Sequence, residues 1–140
     1  MRKALVTAFL VLSTIPASAL ARDDDFGKGL DDQVAQCSNH AGNTLASVEC
    51  LKSGLKAWDA ELNRQYKQLL TDQPEDVKAS VKKSQLAWLK YRDSYLEAMQ
   101  TFYKQQSGTI WGIVMADAEL RLTRDKAIEL YKLRTSTDLS

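Results

Sequence analysis

Residues 84–95 read "SQLAWLKYRDSY". Gln85, Trp88, Tyr91, Arg92 and Tyr95 recur there three or four positions apart, the spacing at which side chains share one face of an α-helix. Extended outward, the stripe takes in Val77, Val81, Met99 and Phe102, so the pattern predicts one long helix from about Pro74 to Gln106. No stretch alternates apolar and polar residues as a half-buried strand would. An all-α fold follows.

Upstream, Leu45, Val48, Leu51, Leu55, Trp58, Leu62, Tyr66 and Leu69 advance by three or four and predict a helix ending near Leu70. "TDQPED" supplies the turn, with Asp72 and Glu75 spaced as a capping box and Pro74 in the first turn. Downstream, "SGTIWG" interrupts the pattern: Gly108 suits a left-handed cap, and Gly112 lets the chain turn again. A third helix then runs from about Ile113 to Leu133, with Val114, Met115, Ala118, Leu122 and Leu130 facing inward. The architecture predicted is a small antiparallel, up-down-up bundle of about three main helices, with one disulfide-closed loop.

The ends of the chain read differently. Arg2 and Lys3, an apolar run from Ala4 to Ile15 and the small residues of "PASALA" have the order of a secretory signal peptide over residues 1–21, cut after Ala21 or alternatively after Ala19. The run is too short to span a bilayer, which needs roughly 20 apolar residues. Residues 22–36 are acidic and contain glycine, and are expected to form a mobile arm ending in one short helical turn. Residues 135–140 are a polar tail. The chain carries 19 Lys plus Arg against 18 Asp plus Glu; losing Arg2 and Lys3 leaves 17 against 18, about −1. Neither nucleic acid nor an anionic membrane is implied, since both need clustered positive charge.

Export also decides how the cysteines read. Cys37 and Cys50 are an even pair in an oxidising compartment, so a disulfide is expected rather than a redox or metal site. With His40 the one histidine, a metal centre lacks ligands, and no cofactor motif is present.

Folding the first two long helices antiparallel brings Asp59, Asn63 and Tyr66 level with Gln85, Trp88 and Arg92. These six residues are expected to be a buried polar framework, with Arg92 paired to Asp59 or, second, to Asp125, because an unpaired buried charge costs several kcal/mol. Catalytic residues are not expected. No serine–histidine pair exists, His40 sits in a polar loop, Asp59 and Glu61 are expected to point to different sides of a helix, and Asp93 is expected to face away from Arg92.

Taken in order, Cys37, Thr44, Glu49-Cys50, Asp59, Leu62-Asn63, Tyr66, Gln85, Trp88, Tyr91-Arg92-Asp93, Gly108, Leu122-Thr123 and Leu130 resemble the family named for the N-terminal domain of the LprI-type lysozyme inhibitor. The resemblance covers residues 37 to about 133, within a domain bounded at 37–134. It implies a small exported bacterial helical protein, periplasmic or secreted, that binds a lysozyme or related cell-wall hydrolase and performs no chemistry of its own. Two further cysteines common among relatives are both absent, and the arginine that follows the closing threonine in relatives is read as Lys126, which loses bidentate geometry. Other readings are an immunity or envelope-stress protein against a different secreted toxin, and a non-inhibitory envelope accessory module. The near-neutral charge weighs against strong electrostatic steering toward basic c-type lysozymes. Recognition is expected on loops, with Asn39 and His40 in the disulfide loop and Ile110 and Trp111 in "SGTIWG" as candidate contacts. Trp111 is either an exposed anchor or a cap on the core.

Overall fold

The computed structural model describes residues 25–137, all of whose regular structure is helical. Four helices follow one another: α1 (Lys28–Asn39), α2 (Thr44–Leu70), α3 (Glu75–Tyr103) and α4 (Ile110–Thr135). The last three are the expected up-down-up helices, and α1 is the addition. The expected signal peptide, residues 22–24 and the last three residues of the tail lie outside the described residues.

The core is the contact between α2 and α4. From α2 it takes Leu51, Trp58, Leu62 and Leu69, and from α4 Ala116, Leu120, Ala127 and Leu130. Small side chains at Ala116, Ala118, Thr123 and Ala127 keep the α4 face low, so the two helices approach closely over much of their length. They run parallel. Thr44 meets Thr109 near one end (Oγ1–Oγ1 3.4 Å), and the Arg134 guanidinium donates to Gln65 Oε1 at 3.0 Å toward the other. Gln65 is fully buried, and its amide in turn donates to Glu61 at 2.7 Å. This polar bridge follows the requirement that a buried amide find partners.

Helix α2 starts where Asn43 Oδ1 accepts from the Ala46 amide at 2.9 Å, an N-cap bond. Its buried face is rotated from the predicted stripe. Gly54 and Gln65 are buried, Leu55 and Tyr66 are half-buried, and Leu45 is exposed. On α4 Ala118 and Leu130 point inward as expected, whereas Val114, Met115 and Leu122 lie on the flanks. The α2–α3 turn also differs from expectation. Asp72 takes a left-handed φ of 58°, Pro74 precedes α3 without a side-chain cap, and Asp76 Oδ1 accepts from the Val77 amide at 2.9 Å. Gly108 has φ 103°, but Gly112 lies inside α4, so the chain makes one turn there and not two.

The largest correction is to the acidic arm. Residues 28–36 belong to a twelve-residue helix clamped to the core, because its few anchors are all used. Gly27, at φ 79°, lets the backbone meet the face of Trp58, where a Cβ would overlap the indole ring. Phe26 stacks on Tyr131 with centroids 3.9 Å apart and meets Trp58 edge-on. Val34 nests on Gly54, where an added Cβ would overlap Val34 and come within 2.8 Å of Leu120. The Cys37–Cys50 disulfide ties the far end, its Cα atoms 5.6 Å apart. At the centre, Asp31 accepts from the Trp58 indole at 3.1 Å and from Arg124 through three contacts of 2.7–3.0 Å. Arg124 also lies over the Trp58 ring, 5.5 Å from its centroid. Hydrogen bonding to Asp31 raises the Arg124 pKa, against the opposing effect of burial. The arginine directly after Thr123, Arg124, makes this bidentate contact, whereas Lys126 pairs with Glu129.

Candidate functional site

Two places gather the polar and aromatic residues that the sequence singles out. The first is the end of the bundle where Thr44 meets Thr109. The loop between α1 and α2 and the connection between α3 and α4 come together there, so Asn39 and His40 lie at the same end as Ile110 and Trp111. Asn39 and His40 are exposed, and the His40 Nδ1 lies 2.7 Å from the Gln36 carbonyl oxygen. Trp111 does not stand free. Its ring stacks on Tyr103 at 4.7 Å and its indole N–H donates to the Ser107 carbonyl at 2.9 Å, which closes the turn into α4. Ile110 is 52% exposed and Leu45 is 71% exposed, so two large apolar side chains flanking the Thr44–Thr109 contact present more than half their surface to solvent. Sequence reasoning missed Leu45 because its position in the heptad-like stripe assigned it to the core.

The second place is a groove of about 240 Å³ between α2 and α3. Asp59, Leu62, Asn63 and Tyr66 form one wall, and Lys82, Gln85, Leu86, Trp88, Leu89 and Arg92 the other. All six residues of the expected framework are therefore neighbours, but they line an open groove and not a sealed core. Of the six only Gln85 is buried; Asp59 and Asn63 are exposed, and Tyr66, Trp88 and Arg92 are half-buried. The signal for Lys82, Leu86 and Leu89 was present as a second three-or-four-spaced row beside the first.

The expected ion pair does not form. Asp93 does not face away from Arg92 as expected: Arg92 donates to it through Nε at 3.0 Å and Nη2 at 2.8 Å, and lies over the Trp88 ring with Cζ 5.3 Å from the centroid. Asp59 is instead bonded to Asn63, whose amide donates to the Asp59 carbonyl oxygen at 2.8 Å and to its carboxylate at 3.2 Å. Asp125 pairs with Arg124. Because α3 stands off from α2 along the groove, Arg92 stays near enough to water to be served by its exposed sequence neighbour. An unpaired charge is costly only where water is excluded.

Charge is distributed without a cluster of catalytic type among the described residues. Among the described residues the carboxylate that is clearly shifted is Glu61: burial would raise its pKa, but hydrogen bonds from Arg64 and Gln65 and the charges of Arg64 and Arg134 outweigh burial and leave it lowered. That is the signature of a structural ion pair, bidentate at 2.6 and 2.8 Å, with no proton to exchange near neutral pH. Among the described residues no helix is long and apolar enough to cross a membrane, and no group of three or more His, Cys, Asp or Glu stands together as a metal site.

Residues 37–130 match a family model described as "Lysozyme inhibitor LprI". A solved structure from Burkholderia thailandensis, a crystal structure of a putative uncharacterized protein, superposes with a TM-score of 0.71 at 22% identity, covering 78% of this chain and 55% of the other. At that identity the likeness shows the fold, and the chain spans about half the length of its structural neighbour. No curated protein matches.

Proposed function

We propose, from the premise that this chain belongs to the LprI lysozyme inhibitor family, that its mature domain is an exported binding protein that blocks a lysozyme or related cell-wall hydrolase by occupying the enzyme's cleft. The supporting observation is the bundle end where two loops converge: Leu45 and Ile110 stand exposed there beside Asn39 and His40. A helix start on each side and the Cys37–Cys50 bridge hold these loops before any partner arrives, so little ordering entropy opposes binding. Apolar anchors inside a polar rim are the usual composition of a protein interface. Inhibition by this route is stoichiometric and reversible, with no turnover of the inhibitor.

The test is a titration of c-type, g-type and bacterial lysozymes with the oxidised protein at low and physiological salt. Inhibition of at least one class is expected, weakened at least ~tenfold by Leu45→Asp or Ile110→Asp while the helical circular-dichroism signal is retained. Full activity of all three classes at equimolar and excess protein would remove the inhibitor reading and leave an immunity role against another toxin, or an accessory role in the envelope.

A further inference from the structure

Helix α3 carries a second stripe that neither the groove nor the inhibitor reading uses. Ser84, Trp88, Tyr91, Tyr95, Ala98 and Phe102 follow one another at alternating spacings of four and three, the heptad pattern with which one α-helix packs along another. No described helix covers it. Tyr91 is 55% and Phe102 64% exposed, Ser84, Tyr95 and Ala98 are exposed as well, and only Trp88 is half-buried. Tyr91 and Tyr95 stack on each other at the middle of the stripe, their centroids 5.9 Å apart. At 1.5 Å per residue the stripe runs for about 27 Å. We propose that it is the interface of a two-fold dimer in which α3 packs antiparallel on α3 of a second copy.

The choice of a second copy rests on the stripe being complementary to itself. A two-fold contact sets one surface against its own reverse. With the axis level with residues 93–94, Tyr91 meets the partner's Tyr95, Trp88 meets the partner's Ala98, and Phe102 meets the partner's Ser84. Each layer then sets a ring beside a ring or a large side chain against a small one, which fills the space without overlap. Charge follows the same axis. Lys90 and Glu97 are exposed, lie seven positions apart on one side of the stripe, and have no ion pair among the described residues. The axis that matches the rings brings Lys90 level with the partner's Glu97, and by symmetry does so twice. Between these charges and the stripe stand the short side chains of Ala87, Ser94 and Thr101, so the two helices approach closely enough for both pairs to close. A partner of any other kind requires no such symmetry within α3. One helix pair of this length buries less than the roughly 1,200 Å² of a stable complex, so the dimer is a weak one.

The experiment is sedimentation equilibrium of the oxidised full mature protein at low and physiological salt. Reversible dimerisation is expected with a Kd between ~10 μM and ~1 mM, the weak end of the affinity scale. Lys90→Glu and Glu97→Lys should each weaken it at least ~fivefold, because like charges then meet twice. Combined in one chain, the two reversals restore pairs of opposite sign and should return the Kd to within ~threefold of the parent. Tyr95→Asp should abolish the dimer while the helical circular-dichroism signal is retained, since the ring is exposed in the single chain. Ile110→Asp should dimerise like the parent. A monomer at ~1 mM, a dimer indifferent to both single reversals, or a double reversal no better than the singles would each overturn the proposal. Loss of the dimer in Ile110→Asp would overturn it too, by moving the contact to the end of the bundle. Dimerisation of a protein that inhibits no lysozyme would uphold this interface and remove only the inhibitor reading.

Discussion

Helix α1 has twelve residues and α3 has twenty-nine, yet the shorter helix is the better attached. Neither buries much: α1 has no fully buried residue and α3 has Gln85 alone. The difference lies in the anchors. Helix α1 is fixed by a disulfide, a multidentate Asp31–Arg124 pair, the Phe26 stack and the fit of Val34 on Gly54, each tying it to α2 or α4. Helix α3 has no ion pair to another helix among the described residues, and Leu86, Tyr91, Tyr95 and Phe102 remain exposed along it. A rich aromatic pattern therefore says that a helix forms, whereas a few directional contacts say how firmly it is held.

The largest effect should come from opening the disulfide. Replacing Cys37 and Cys50 together by alanine is expected to lower stability by about 3 kcal/mol, since the unfolded chain regains the freedom of that loop. Hydrogen exchange should show protection lost first in α1, while α2 and α4 keep theirs; equal loss across all four helices would mean that α1 is not the separately anchored unit described above.

Next in size is Gly54→Leu, which forces a side chain into the space of Val34 and Leu120. Overpacking at a close helix contact costs about 1–3 kcal/mol, readable as a fall in the urea midpoint. Exposed Gly29, with open space around it, is the control and should tolerate alanine.

The two arginines give the sharpest contrast. Arg124→Ala removes the donors of Asp31 and the cation over Trp58, and with both partners about one-third exposed the expected loss is about 1–2 kcal/mol after allowance for solvent screening. Arg92→Ala removes a contact to an exposed neighbour and a stack on Trp88, and should cost about 0.5–1 kcal/mol. From the sequence the Arg92 change was expected to cost more, on the premise of a buried partner. Chemical denaturation of both variants decides the order; a larger loss for Arg92→Ala would restore the framework reading of the groove.

The smallest effect is one of pH. The Glu61 carboxyl is held below its unfolded value, so its contribution is present above the ordinary carboxylate range and is lost as pH falls through the folded pKa. Stability of the parent should thus decline more steeply in acid than that of Glu61→Gln. Parallel curves for the two proteins would show that the Arg64–Glu61–Gln65–Arg134 chain carries no linked proton.

Much of this was legible in the residues. The periodicities of α2, α3 and α4, the left-handed Gly108 and the pairing of Cys37 with Cys50 follow from local chemistry, because helix geometry and the redox compartment act on neighbours in the chain. The neighbourhood of Asp59, Asn63 and Tyr66 with Gln85, Trp88 and Arg92 also followed, once a hairpin was assumed. Whether those residues are covered did not follow, because exposure depends on how closely α3 approaches α2, and a periodic pattern carries no distance.

The sequence by itself determined that this chain is helical, where its long helices run and which cysteines join. Only the tertiary structure decided that the acidic segment before Cys37 is a clamped helix and that the stripe around Arg92 borders an open groove. The reason is the range of the forces. Backbone hydrogen bonds and side-chain spacing act over one or two turns, but the partners that fix α1 lie far along the chain: Asp31 meets Arg124 across 93 positions. Such a contact exists only after α2 and α4 have packed and brought their faces to the same place.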